Sequence, residues 1–116
     1  MSEVVIDVEE FLERVQDDKE LFFELFEIFV EDFEEKRKGL SQAVANKDYA
    51  QLRSIGHSLK GASGNISAKV LRNIAITLED MGKNNEMTGV EEFLIKIDEA
   101  FKALTARIEE LKTELA

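Results

Sequence analysis

Apolar side chains near the C-terminus carry the pattern that most restricts how this chain folds. They recur in steps of three and four residues, at Val90, Phe93, Leu94, Ile97, Phe101, Leu104, Ile108, Leu111 and Leu115. Steps of this kind keep one face of an α-helix apolar along its whole length. The sequence also has no proline, and 44% of its residues are hydrophobic. We therefore predict a long amphipathic C-terminal helix in an all-α protein.

Two helices are predicted in the N-terminal half. Asp7 can cap a short first helix, and Asp17 and Asp18 separate it from a second helix that begins near Lys19 and continues to Ala45. The second helix has a wide apolar arc, so it must contact more than one neighbour. Its stripe contains Phe22, Leu25, Phe26, Phe29, Phe33, Leu40 and Val44, flanked by Leu21 and Ile28 on one side and by Phe23 and Val30 on the other. Either one flank receives the first helix and the other remains a docking patch, or both flanks are ordinary core.

Capping residues divide the remaining sequence into three more helices. Asp48 starts a third helix after a turn at residues 46–48, Ser67 is expected to cap a fourth, and Thr88 with Glu91 a fifth. Amphipathic helices joined by short turns pack most simply as an antiparallel up-down-up-down four-helix bundle, with the short additional N-terminal helix against it. We predict this fold as a single domain over residues 1–116.

The composition excludes several classes of function. Without cysteine the chain forms neither disulfides nor thiolate sites, and a single histidine rules out the common zinc sites. A formal net charge of −10 argues against nucleic acid and anionic membranes as partners. The first residues lack a basic region followed by a long apolar run, and no segment is apolar for the length of a membrane span. We expect a cytoplasmic protein.

Charge is distributed unevenly along the sequence. Residues 1–35 contain 14 acids and 2 bases, residues 36–78 contain 8 bases and 1 acid, and residues 79–116 contain 10 acids and 5 bases. The only histidine, His57, lies in the basic middle third. This segregation predicts that the surface around His57 meets an anionic partner, because complementary potentials speed and orient an encounter. The alternative is that the lysines and arginines only solvate one helix.

The histidine is expected to face solvent. With helical spacing, apolar residues such as Leu52 and Leu59 share one face of the third helix, and His57 lies roughly opposite them. Gly61 and Gly64 lie on the same side as His57, although each glycine costs a helix about 1 kcal/mol relative to alanine. A bare surface suits a partner that must bring its backbone or a reactive group to the imidazole. The alternative is an incidental surface histidine near a fraying helix end.

The residues around His57 carry a family signature. The run His57-Ser58-Leu59-Lys60-Gly61-Ala62-Ser63-Gly64-Asn65-Ile66 resembles that of histidine-containing phosphotransfer (HPt) domains, in which His-x-Leu-Lys-Gly precedes two small residues. The resemblance extends upstream to residues 25–32 and downstream to residues 71–75 and 78–79. It departs at Ser67, where the family usually has glycine. Because the sequence begins with methionine and contains a complete set of helices, we expect a stand-alone HPt protein of bacterial type.

The resemblance implies a function for the histidine. His57 would accept a phosphoryl group from the aspartyl phosphate of a receiver domain, on Nε2, and pass it to another receiver in a multistep two-component phosphorelay. The implied partners are the receiver domains of a hybrid sensor kinase and of a response regulator. The sequence has no nucleotide-binding loop or recognisable magnesium-binding set, so it would be a carrier without ATP-dependent kinase activity. We expect a monomer that needs no cofactor, with Mg²⁺ supplied by the receiver.

Residues near His57 are given supporting roles. Lys60, one turn along, would offset charge on the phosphoryl oxygens. The docking surface would include Arg53, Ser58, Gly61 and Gly64. Counting back along the fourth helix from residue 67 puts residues 77–79 level with His57, so Glu79 or Thr77 would orient the imidazole ring. The alternative for Glu79 is a solvated position on the back of its helix.

Two other functions account for parts of the sequence. An acidic helical adaptor would bind a partner through its apolar flanks without phosphotransfer, and its binding would be insensitive to His57 and Lys60. A carboxylate-bridged metal enzyme would need Glu-x-x-His pairs at inward-facing helix positions. That second alternative fails, because the one histidine faces outward and position 54 is a serine.

Overall fold

The chain folds into five α-helices within residues 4–116, the part that the computed structural model describes. They are α1 (Val8–Arg14), α2 (Lys19–Ala45), α3 (Tyr49–Asn65), α4 (Lys69–Lys83) and α5 (Val90–Glu114). The four longer helices form an antiparallel bundle, and α1 packs against one end of it. The predicted all-α fold is therefore confirmed, including the single long helix from Lys19 to Ala45. None of the helices in the described part of the chain combines the length and apolarity of a membrane span.

Aspartate side chains begin three of the helices as predicted. Asp7 accepts a hydrogen bond from the Glu10 amide at 3.0 Å, which caps α1. Asp18 caps α2 through the Leu21 amide, also at 3.0 Å. The equivalent bond from Gln51 to Asp48 in α3 is again 3.0 Å. In each case the carboxylate satisfies an amide that has no partner inside the helix.

The prediction that Ser67 caps α4 is wrong. Ser67 has φ of +58°, and the N-cap of α4 is Ala68, which makes no side-chain capping bond. The amide of Ser67 donates to Gly64 at 3.1 Å and that of Ala68 donates to Ser63 at 2.9 Å. These two bonds close the end of α3 in a Schellman turn, whose left-handed position favours glycine. Ser67 thus occupies a helix C-terminal position, where glycine is the easier residue.

The side chain of Ser67 instead helps to attach α1. Its hydroxyl donates to Glu10 at 2.7 Å, and Lys69 donates to the same carboxylate at 3.0 Å. Both contacts hold the pKa of Glu10 below its usual range. Arg14 adds a hydrogen bond to the carbonyl of Gly64 at 3.0 Å. The first helix is therefore held across the turn between α3 and α4.

The capping box predicted at Thr88 and Glu91 is also wrong. Gly89, with φ of +79°, immediately precedes α5 and leaves it without a side-chain cap. The Thr88 amide donates to the Glu86 side chain at 2.8 Å. The backbone turn at Gly89 thus decides where α5 begins.

The flanks of α2 have different environments. Phe33 stacks on Phe101 of α5, with ring centroids 4.0 Å apart, so α2 and α5 share an aromatic core. Phe23 and Val30 are half-buried beside α5. Ile28, on the other flank, is 62% exposed. The structure therefore matches neither alternative as stated, because one flank lies along α5 and the other faces solvent.

A buried serine in α3 offers a test of the packing. The Ser63 side chain is fully buried, and its hydroxyl has no hydrogen-bond partner among residues 4–116. Burying a hydroxyl without a partner costs about 1–3 kcal/mol. We therefore expect Ser63→Ala to raise the free energy of unfolding by about 1 kcal/mol, measured by urea denaturation. The matched control is Ser58→Ala at an exposed position of the same helix, and an equal gain in both variants would contradict this explanation.

Candidate functional site

His57 lies on α3 with its side chain 69% exposed. Its Nδ1 atom is 2.7 Å from Oε2 of Glu79, which comes from α4. Glu79 is only 16% exposed. The imidazole is therefore open to a partner on one side and held by a protein carboxylate on the other.

The carboxylate of Glu79 also binds Lys60. Oε1 of Glu79 lies 2.7 Å from Nζ of Lys60, so each oxygen has its own partner. The bond from Lys60, followed by that from His57, holds the pKa of Glu79 below its usual range. Glu79 is therefore ionised at neutral pH. The mostly buried carboxylate of Glu79 thus links His57 to Lys60, one turn along the same helix.

The ionised state of Glu79 determines which nitrogen of His57 carries a proton. A carboxylate only accepts hydrogen bonds, so Nδ1 must be the donor. In the neutral imidazole Nε2 then bears the lone pair, because the partner of one ring nitrogen decides the state of the other. Nδ1 is directed toward α4, so Nε2 is directed away from α4 and into solvent. The site presents an exposed nitrogen nucleophile.

Two glycines allow α3 and α4 to approach closely at this point. A Cβ atom on Gly56 would lie 2.6 Å from the backbone nitrogen of Glu79. A Cβ atom on Gly82 would lie 2.4 Å from the backbone nitrogen of Arg53. Distances below 3.0 Å to backbone are not tolerated without movement of a helix. The side chain of Glu79 reaches His57 because the backbone of α4 lies directly against that of α3.

A cleft between α3 and α4 opens beside the histidine. Glu79 and Gly82 contribute to it from α4, and Lys83 follows at the end of that helix. Its complete lining is Ala50, Arg53, Ser54, His57, Glu79, Gly82, Lys83 and Asn85. The cleft therefore has cationic side chains from both helices near the imidazole.

Comparison with known proteins agrees with this arrangement. The family model described as "Hpt domain" matches residues 24–114, most of the chain. The chain belongs to the Hpt family. Its function is therefore histidine phosphotransfer in a phosphorelay, and proteins of this family are phosphoryl carriers that interact with receiver domains. Among curated proteins, no sequence matches.

A solved structure agrees on the fold. The crystal structure of histidine-containing phosphotransfer protein B from Pseudomonas aeruginosa superimposes with a TM-score of 0.87. The two sequences are 22% identical, and the match covers 97% of this chain and 98% of the other. The Hpt fold thus includes the short N-terminal helix as well as the four-helix bundle.

The other predicted site residues lie in different environments. Arg53, Ser58 and Gly61 are exposed, and a Cβ atom on Gly61 would meet nothing within 4 Å. A Cβ atom on Gly64 would touch the Arg72 side chain at 3.5 Å, an ordinary contact. The hydroxyl of Thr77 donates to the carbonyl of Asn73 at 3.3 Å. Of the two ring-orienting candidates, Glu79 is the one that contacts His57.

Sequence reasoning overlooked two features of this Hpt site. Gly56 precedes the histidine directly, but helical periodicity says nothing about a contact with α4. Lys83 lies 26 positions beyond the histidine and shares its cleft. The register that put residues 77–79 level with His57 could have found it, because Lys83 lies one turn past Glu79.

Within residues 4–116, no group of three or more potential metal ligands is found.

The contrast between glycines gives a matched pair of variants. Gly56→Ala is expected to lower the free energy of unfolding by about 1–3 kcal/mol, because the added methyl group forces α3 and α4 apart. The added methyl group of Gly61→Ala has open space around it. This substitution is expected to raise the free energy of unfolding by up to about 1 kcal/mol, because alanine favours a helix more than glycine does. Urea denaturation checks both. Equal effects of the two substitutions would contradict the proposed close packing.

The ion pairs of Glu79 predict a dependence of stability on pH. The pKa of Glu79 is lowered in the folded state from a reference of 4.5. Its contribution to the free energy of unfolding is therefore fully present above pH 4.5. The contribution is lost as the pH falls through the lowered pKa. Glu79→Gln should therefore destabilise the protein more at about pH 7 than at about pH 3, measured by urea denaturation. A difference between the two proteins that does not change with pH would show that the charge of Glu79 is unimportant.

Proposed function

We propose that His57 is the phosphoryl acceptor of this Hpt protein and that Nε2 is the attacking atom. The observation that carries the proposal is the hydrogen bond between Nδ1 of His57 and the ionised Glu79. It leaves the lone pair on Nε2 and directs it into solvent. An exposed imidazole nitrogen that bears its lone pair can attack phosphorus directly, so no separate base is required.

The transfer is a single displacement at phosphorus. A bond forms between Nε2 of His57 and the phosphorus of a receiver aspartyl phosphate, while the bond from phosphorus to the aspartate oxygen breaks. The leaving electron pair stays on the aspartate, which becomes a carboxylate. Nδ1 keeps its proton, and the positive charge that develops on the ring lies against Glu79. The same steps in reverse pass the phosphoryl group to another receiver.

Lys60 and Glu79 act as supporting groups in this proposal. Lys60 is 31% exposed and lies one turn from His57, where its ammonium group can offset charge on the phosphoryl oxygens. It is tied to Glu79 in the unphosphorylated protein, so it must give up or share that ion pair in the transfer. Glu79 is a positioning residue, because it acts through the imidazole and not on the phosphoryl group.

The docking surface in this proposal surrounds the exposed edge of α3. Ser58 and Gly61 are exposed there, and Gly64 lies one turn further on. The open space at Gly61 would let the receiver backbone come close to His57. Ile28, exposed on α2, would be a further apolar contact for a partner large enough to reach it. Arg53 adds attraction for an acidic partner.

The proposal extends to the identity of the partners. We assign the donor to the receiver domain of a hybrid sensor kinase and the acceptor to the receiver of a response regulator. The chain would act as a cytoplasmic monomer and as a carrier without kinase activity of its own. It would use no cofactor, and Mg²⁺ would be bound in the acidic pocket of the receiver.

Phosphotransfer from a labelled receiver tests the proposal. His57→Gln is expected to abolish acid-labile, base-stable label while leaving helical circular dichroism unchanged, because His57 is exposed. Lys60→Ala should slow transfer by roughly tenfold or more with little loss of stability. Label retained on the His57→Gln protein would rule out the assignment. The acidic adaptor would be favoured if the native protein took up no label and if substitution of His57 or Lys60 left receiver binding unchanged.

A further inference from the structure

Two cations in the cleft beside His57 have no carboxylate partner. Arg53 and Lys83 line the cleft, and within residues 4–116 neither takes part in an ion pair. Lys60, the other cation near the imidazole, is held by Glu79. The charges of Arg53 and Lys83 are therefore not neutralised by a carboxylate of the described residues, although the protein as a whole has a net charge of −10. Their position beside the exposed histidine suggests that a partner supplies the missing negative charge.

The tertiary structure brings these two residues to one edge. Arg53 lies one turn before His57 on α3, whereas Lys83 is the last residue of α4. Gly82 packs directly on the backbone of Arg53, where an added Cβ atom would approach to 2.4 Å. The neighbouring Lys83 is thereby placed along the same cleft. This cationic edge, formed by Arg53 and Lys83, therefore depends on the close contact between the helices.

The direction of the imidazole separates the cationic edge from the phosphoryl group. Nδ1 of His57 points to Glu79, which also lines the cleft. Nε2 is on the far side of the ring and is directed away from α4. A phosphoryl group on Nε2 therefore projects away from the cleft toward the incoming receiver. Arg53 and Lys83 are better placed to meet the surface of that receiver than its phosphoryl group.

We propose that the cationic edge formed by Arg53 and Lys83 binds an acidic side chain on the receiver beside its phosphorylated aspartate. This proposal rests on the proposed function and adds a specificity determinant to it. The cationic edge lies where α4 meets α3, so positive charge is offered on one side of the histidine. A receiver that docks with its acidic side chain toward this edge is favoured over the reversed orientation, which would lose that attraction.

Charge reversal at Lys83 tests this proposal. The rate of transfer from a phosphorylated receiver is measured against receiver concentration, for the native protein, Lys83→Glu and a control. The control is Lys102→Glu, since Lys102 is exposed on α5 and outside the cleft. Both variants change the net charge equally. We expect Lys83→Glu to raise the half-saturating receiver concentration by roughly threefold to tenfold, and the control to change it by less than about twofold.

The outcomes separate this proposal from the proposed function. The effect of Lys83→Glu should shrink in high salt, and Arg53→Glu should act in the same direction. Equal effects of Lys83→Glu and Lys102→Glu would overturn the proposal. So would a lower maximal rate at saturating receiver with an unchanged half-saturating concentration, because the lysine would then act on the phosphoryl group. Receiver binding measured with Lys83→Glu in the His57→Gln background tests the edge even if His57 proves not to be the acceptor.

Discussion

The contact between α3 and α4 at Gly56 and Gly82 is the constraint on which the site depends. Neither position leaves room for a side chain, because a Cβ atom would strike the backbone of the facing helix. At this separation Glu79 reaches the imidazole with a 2.7 Å hydrogen bond. A wider spacing would leave His57 as a freely rotating surface side chain. Glycine at these two positions lowers the stability of each helix, but it lets the backbones of α3 and α4 come close enough for Glu79 to position His57.

Glu79 connects the packing of the helices to the chemistry of the histidine. Its two oxygens bind two cationic or potentially cationic groups of α3, so one carboxylate sets both the ring orientation and the resting position of Lys60. The ion pair keeps the charge of Lys60 near His57, and in the proposed transfer Lys60 would give up or share this ion pair to reach the phosphoryl oxygens.

The surface around His57 would offer a receiver two kinds of contact. Bare backbone at Gly61 would let the partner approach, and Arg53 with Lys83 would offer positive charge. The remainder of the protein is acidic enough to repel an acidic receiver from other faces. Attraction at one face and repulsion at the others would together orient the encounter.

The sequence by itself determined the local features of this protein. Periodicity established the helices and the outward direction of His57, and the aspartate caps of α1, α2 and α3 followed from residue type, because each depends on contacts within a few residues. The caps assigned to Ser67 and Thr88 failed, since left-handed backbone at Ser67 and Gly89 ends or starts those segments instead.

Only the tertiary structure decided which residues of α4 meet the histidine. Register narrowed the ring-orienting partner to Glu79 or Thr77, but the choice depended on how closely two helices pack. Register alone puts Lys83 one turn past Glu79, and the structure adds that it lines the cleft where Gly82 packs on the backbone of Arg53. Contacts between helices depend on the sizes of side chains far apart in the chain, and a pattern within one helix carries no information about them.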